Sequence, residues 1–242
     1  MAPFLGGLCA LGAAMLSFIE VLQDLLFAVH MVQHILIRAI GPVLLLAADP
    51  YPILAWGLPR RARLALPALL GRRAGLRRLL RRLFTPWVCW GLYVGLLWFW
   101  HMPAAYDAAL RSEFLHILQH VSYFGTGLLF WGQVINVAPR LWGRHGYGFR
   151  IAYALAALAQ NEVLGIRIAL ADRPLYSWYT TAPRLWGLSV MDDQGLGGAV
   201  MWVAGGMMYA LAGVALLARM MEQEEKRALE QEQVGEDERS ID

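Results

Sequence analysis

Apolar residues along the chain gather into six blocks, at 3–21, 25–48, 86–100, 113–137, 149–171 and 196–217, with polar or proline-bearing breaks between them. A helix of about 20 residues crosses a hydrocarbon core of about 30 Å, and most of these blocks approach that length. The breaks are sharp: Asp49-Pro50-Tyr51-Pro52 follows the second block, His101-Met102-Pro103 the third, and Pro139 the fourth. The pattern predicts an all-α, polytopic transmembrane helix bundle of about six spanning helices over residues 1–220. A polar, acidic C-terminal tail at 221–242 is expected to fray as a helix and then lose order. The first block carries no basic leader, so it reads as a retained helix and not a cleaved signal.

Composition agrees with a bilayer as solvent. Hydrophobic residues make up 58% of the 242 and charged residues only 16%, too few for the surface of a water-soluble domain of this size. Ten tryptophans suit interfacial aromatic belts. The two cysteines, Cys9 and Cys89, sit inside apolar blocks and read as small buried hydrophobes, with no disulfide or C-x-x-C pattern.

Charge placement sets the topology. The basic loop at 58–85 carries Arg60, Arg61, Arg63, Arg72, Arg73, Arg77, Arg78, Arg81 and Arg82. Its second half alternates leucines and arginines as an interfacial helix on an anionic leaflet would, the plainer alternative being a solvated basic loop. Arginine-rich loops stay in the cytoplasm. Alternation then places Arg140, Arg144 and Arg150 on that side too, with both termini cytoplasmic and segments 101–112 and 172–195 facing outward. The expected location is a bacterial inner (plasma) membrane, crossed several times. The basic residues form a topology signal and no nucleic-acid footprint.

Five of the six histidines fall at the outward level. His30 and His34 are spaced i,i+4 on the second helix, His116 and His120 repeat that spacing on the fourth, and His101 ends the third; His145 lies on the other side. The i,i+4 spacing puts both imidazoles of a pair on one helix face. A single histidine at a helix end is more often an interfacial polar residue, but five at one depth point to a metal site. Imidazole suits copper, zinc, iron and nickel, and the thioethers of Met31, Met102, Met191 and Met201 would favour Cu(I), unless each is ordinary apolar packing. Asp192 and Asp193, and more weakly Asp107, are candidates to fix a histidine tautomer, or are solvated loop carboxylates. Inside the helices, Arg38 and Glu162 are isolated charges. Arg38 lies about 16 Å from the outer face and Glu162 about 20 Å from the inner one, so the depths nearly coincide and an ion pair is expected.

The same residues carry a family resemblance. HMVQHILI at 30–37, WHMPAAYDAALRSEFLHILQHVSYFGTGLLFW at 100–131 and DDQGLGGAVMW at 192–202 resemble the signature blocks of the multi-spanning CtaG family, named for cytochrome c oxidase assembly. The matching positions are His30, His34, His101, His116, His120, Asp193, Gln194, Met201 and Trp202. The resemblance spans roughly residues 25 to 220 and implies a membrane-embedded, non-enzymatic assembly factor for a haem–copper oxidase that handles copper. Its partners would be oxidase subunits or other copper chaperones, beside the lipid bilayer. Arg38, Glu162 and Arg167 depart from the aliphatic residues usual there, and the N-terminus looks short. Two other functions remain open from the sequence: a haem-binding electron carrier, which the i,i+4 pairs disfavour, and a non-catalytic accessory or scaffold subunit. No hydrolase motif is present, since H-x-x-x-H lacks the glutamate of H-E-x-x-H.

Overall fold

The structure, a computed structural model, describes residues 2–49, 56–64, 75–136 and 145–241, with side chains as far as residue 233. Arg72, Arg73, Arg140 and Arg144 lie outside the described residues. Among the described residues there are helices and turns and no strand. Helices α1 (Ala2–Leu16) and α2 (Phe18–Leu22) form a first rod. Helices α3 (Phe27–Ile35) and α4 (Gly41–Ala47), joined through a widened turn at Leu36–Ile40, form the second. The amphipathic helix α5 (Gly75–Leu83) meets α6 (Pro86–Trp100) at a bend of 52°. Short α7 (Pro103–Arg111) leads into α8 (Glu113–Ile135), and α9 (Tyr147–Ala169) follows. Short α10 (Ser177–Thr181) precedes the last rod, α11 (Val190–Ala199), a second widened turn at Val200–Gly205, and α12 (Gly206–Ile241).

Among the described residues three helices are long and apolar enough to cross a membrane, or four with the bent α5–α6 pair taken as one span. The 23-residue α8 and α9 have the length but carry polar side chains on their inner faces, among them Gln119, His120 and Gln133 on α8 and Arg150 and Asn161 on α9. Outward-facing positions are apolar: Leu16, Phe18, Phe114, Val121, Leu211 and Val214 are all exposed. A large apolar exterior around a polar-lined interior is the pattern of a bundle solvated by lipid.

Rods pack through small residues. A Cβ on Gly198 would sit 2.4 Å from the Ala169 nitrogen, and one on Gly127 would sit 2.5 Å from the Arg38 carbonyl oxygen. These glycines let backbones touch, which replaces the hydrophobic drive that lipid cannot supply. Beneath lies an aromatic core in which Tyr93 stacks on Phe130 at 4.1 Å and Trp131 stacks on Tyr209 at 5.4 Å.

Both widened turns have local causes. Pro42 has no N–H to offer the Arg38 carbonyl and its ring crowds that carbonyl, so the helix opens there and the Gly41 N–H reaches back five residues to Leu36. In the last rod, Asn161 Nδ2 donates to the Met201 carbonyl at 2.8 Å and intrudes on the backbone ladder.

Four expectations are corrected. The last rod begins at Val190 and not near 196, because Ser189 and Asp192 make a reciprocal capping box. The polar tail is helical through Ile241, consistent with its wealth of Glu and Gln. Cys9 is exposed on the outer face of α1, whereas Cys89 is buried. The Arg38–Glu162 ion pair does not form. Arg38 donates to Tyr209 Oη and to the Tyr93 carbonyl, each at 3.2 Å, while the Glu162 carboxylate lies against Gly206. Matching depths fixed height along the bundle but not azimuth: it is Asn161, a neighbour on α9, that lines the cavity beside Arg38.

Candidate metal centre

The i,i+4 spacing acts as the helical repeat requires. His30 and His34 stand on the inner face of α3 with ring centroids 4.3 Å apart, and His116 and His120 on α8 lie 4.2 Å apart. The second rod packs on α8 through its widened turn and α4, and this joins the pairs: His30 is 5.3 Å from His116, and His34 is 5.8 Å from His120. His101, at the C-terminal end of α6, comes within 6.0 Å of His34. All five imidazoles therefore form one cluster, and His145 is remote from it, against Phe149. Ligand-capable nitrogens of His30, His34 and His120 lie within 4.8 Å of one another, and all three residues are buried.

The free nitrogens are the telling feature. Nε2 of His30, His34, His101, His116 and His120 is in each case buried without a hydrogen-bond partner, as is Nδ1 of His34. Buried polar atoms are ordinarily paired. A cluster of unpaired nitrogens facing one another fits a cation that each could ligate with a lone pair. Imidazole–metal bonds are about 2 Å, so modest ring rotations would bring three donors onto one ion.

Two of the rings have fixed tautomers. Tyr179 Oη donates to the Gln23 carbonyl at 2.8 Å, so towards His30 Nδ1, 3.0 Å away, it acts as acceptor. His30 therefore carries its proton on Nδ1 and leaves Nε2 bare. His101 Nδ1 faces the Leu97 carbonyl at 2.7 Å, which can only accept, with Tyr123 Oη a further 3.3 Å neighbour. Nε2 of His101 is bare by the same logic. Such outer partners orient metal-binding imidazoles and raise their basicity. Tyr179, Tyr123 and Gln23 were not apparent as site residues in the sequence, because their positions along the chain do not show which histidine they will face.

The carboxylates do something else. Asp193 is fully buried, and its two oxygens accept from the backbone nitrogens of Phe27 and Ala28 at 2.8 and 3.0 Å. It caps the N-terminus of the helix that carries His30 and His34 and bonds to no histidine. Asp107 accepts from the Ser177 and Trp178 nitrogens, both at 3.1 Å, and so holds α10 in place over the cluster. Asp192 serves its own capping box with Ser189. Gln194 ties the 173–175 loop, accepting from Leu175 N and donating to Arg173 O. The tautomer-fixing role, one of two readings open for the aspartates, falls instead to a tyrosine and a backbone carbonyl. Tyr106, Tyr176 and Tyr179 pack on Phe27 and roof the histidines, with Tyr106 5.2 Å from His30.

Among the thioethers, Met31 and Met201 are buried and line, with His34, His101 and Arg38, a cavity of about 30 Å³. Met102 is exposed and borders a second cavity of about 100 Å³ beside His101, with Arg167 and Tyr176 on its wall. Trp202 lies on the bundle exterior and takes no part in the cluster.

The chain is 24% identical to an uncharacterized protein of Mycobacterium leprae over 96% of its own length and 36% of the relative's. A second uncharacterized relative, from Mycobacterium bovis, is 24% identical over 94% of the chain and 35% of that protein. The chain thus spans about a third of the curated relatives it matches. No solved structure gives a significant match. The model of one family, described as cytochrome c oxidase caa3 assembly factor, matches residues 1–223 and takes in every helix that builds the histidine cluster. The chain belongs to the Caa3_CtaG family of cytochrome c oxidase caa3 assembly factors.

Proposed function

We propose that this chain binds copper as Cu(I) in the histidine cluster and passes it on during assembly of a haem–copper cytochrome c oxidase. The observation that carries the reading is the convergence of His30, His34 and His120, buried, with donor nitrogens within 4.8 Å and Nε2 atoms unpaired. A small ion fits that spacing. A haem needs room for its macrocycle beside the ligating imidazole, and the cavity under these histidines holds only about 30 Å³. Copper is the favoured ion because the donors are neutral imidazoles with the thioethers of Met31 and Met201 close by. Copper here is cargo, and the role is non-catalytic. Met102, exposed beside His101, offers a soft ligand at the rim through which an incoming or outgoing ion could be exchanged with oxidase subunits or a copper chaperone.

The expected setting is a bacterial plasma membrane, with the histidine end outward and both termini in the cytoplasm. The support is the arginine bias of the 58–85 loop, whose α5 is amphipathic as an interfacial helix should be.

The test replaces His30 and His34 together, and His116 and His120 together, by alanine. Bound copper in the purified protein and oxidase activity in membranes under copper limitation are then measured. Both double variants should lose most of the copper and the activity should fall several-fold. Unchanged copper in both would remove the metal site. Unchanged oxidase activity would remove the assembly role, and a Soret band in the purified protein would replace copper by haem.

A further inference from the structure

We propose that Arg38 is the charge that makes the histidine cluster select a monovalent over a divalent metal ion. The inference rests on the copper reading above and adds the residue that sets its selectivity. Arg38 sits about one helical turn below His34 on the same rod and is only 6% exposed. It lines the same cavity as His34, His101 and Met201. Its guanidinium is held in one place: over the ring of Tyr93 at 3.6 Å, donating to Tyr209 Oη and to the Tyr93 carbonyl. All of these partners are neutral, and Arg38 Nε is buried without any partner.

Among the described residues no carboxylate touches Arg38. Glu162 is turned towards Gly206, and Asp193 is committed to the α3 N-terminus. An arginine does not lose its proton in a protein. The protein therefore brings a ring of neutral imidazoles and one fixed positive charge to the metal.

Repulsion from that charge scales with the charge of the ion. At an effective dielectric of about 20 and a separation on the order of 10 Å, each unit of ion charge costs roughly tenfold in affinity. A divalent ion pays this factor twice and a monovalent ion once. Neutral donors suffice for Cu(I), while Zn(II) and Cu(II) have no carboxylate or thiolate here to offset the repulsion. The guanidinium so acts against capture of zinc by a site whose imidazoles would otherwise accept it.

The experiment measures Cu(I) and Zn(II) affinities of the purified full chain in detergent by chelator competition, with a reductant present for copper. Replacing the charge by a side chain that cannot ligate (Arg38→Leu) should strengthen Zn(II) binding relative to Cu(I) by about tenfold. Keeping it (Arg38→Lys) should leave the ratio near that of the unaltered chain. Should Arg38→Leu fail to accumulate, Asn161→Asp places a carboxylate on the wall of the same cavity and should shift the ratio in the same direction with Arg38 intact. Cu(I) binding with an unshifted ratio in Arg38→Leu, or in Asn161→Asp where only that variant folds, overturns this inference alone. Absence of Cu(I) binding by the unaltered, folded chain overturns the copper reading and this inference with it.

Discussion

Five imidazoles share one cluster, but they are not equivalent. His30 and His101 are oriented by an acceptor at Nδ1, whereas both nitrogens of His34 are unpaired. His34 is thus the ring freest to rotate onto an ion, and His30 is the one whose tautomer is set in advance. Tyr179→Phe would remove the acceptor from His30 and let its proton move to the ligating nitrogen. Copper(I) affinity should then fall about 10- to 100-fold, the range typical of lost outer partners of metal-bound histidines. A chelator competition assay reads this directly, and an unchanged affinity would mean that Tyr179 only packs. The aspartates show why residue type alone misled. Asp193 has the chemistry of a tautomer-fixing partner, yet in place it answers a stronger demand, the bare N–H groups that open α3.

Helix ends and widened turns position the site. Asp193 belongs to α11 but caps α3, and Arg150 of α9 donates to the Val134 and Ile135 carbonyls at the end of α8. In both cases one rod satisfies the end of another, so the ends cannot fray independently where water is scarce. Asp193→Ala would leave a buried and a half-buried N–H group unsatisfied. It should cost about 2 kcal/mol of stability in denaturant unfolding of the detergent-solubilised protein. Copper affinity should fall with it, because His30 and His34 ride on the helix that this cap anchors. Stability equal to the unaltered chain would show that the cap carries no energy. The widened turns matter differently. Pro42 opens the helix at Leu36–Ile40, and Asn161 opens it at Val200–Gly205, and both openings border the cavity under the histidines. A proline inside the second apolar block was a readable sign of irregular backbone. An asparagine on one helix disturbing the backbone of another was not.

At the scale of the whole molecule, topology is the property still to be measured. Single cysteines placed at 62 and at 181, both exposed positions, in a chain lacking Cys9 and Cys89, should label from opposite sides of the membrane. Position 181 should react with an impermeant reagent in intact cells and position 62 only after permeabilisation. Labelling of 62 from outside would invert the bundle and put the histidines in the cytoplasm. The sequence by itself determined the helical class and the approximate spans, because an apolar block in a membrane has no alternative to internal hydrogen bonding. It also determined that each histidine pair shares a face, because i,i+4 spacing is a property of one helix and needs no partner. Charge bias was enough to suggest that five histidines lie at one level. The tertiary structure alone decided azimuth, which no count of residues along a helix contains. Azimuth turned His30, His34 and His120 inward to one centre, turned Glu162 away from Arg38, and brought Tyr179 from a distant loop to His30. The physical reason is that rotation of a rod about its axis is set by the close approach of backbones at Gly127 and Gly198, contacts between segments far apart in the chain.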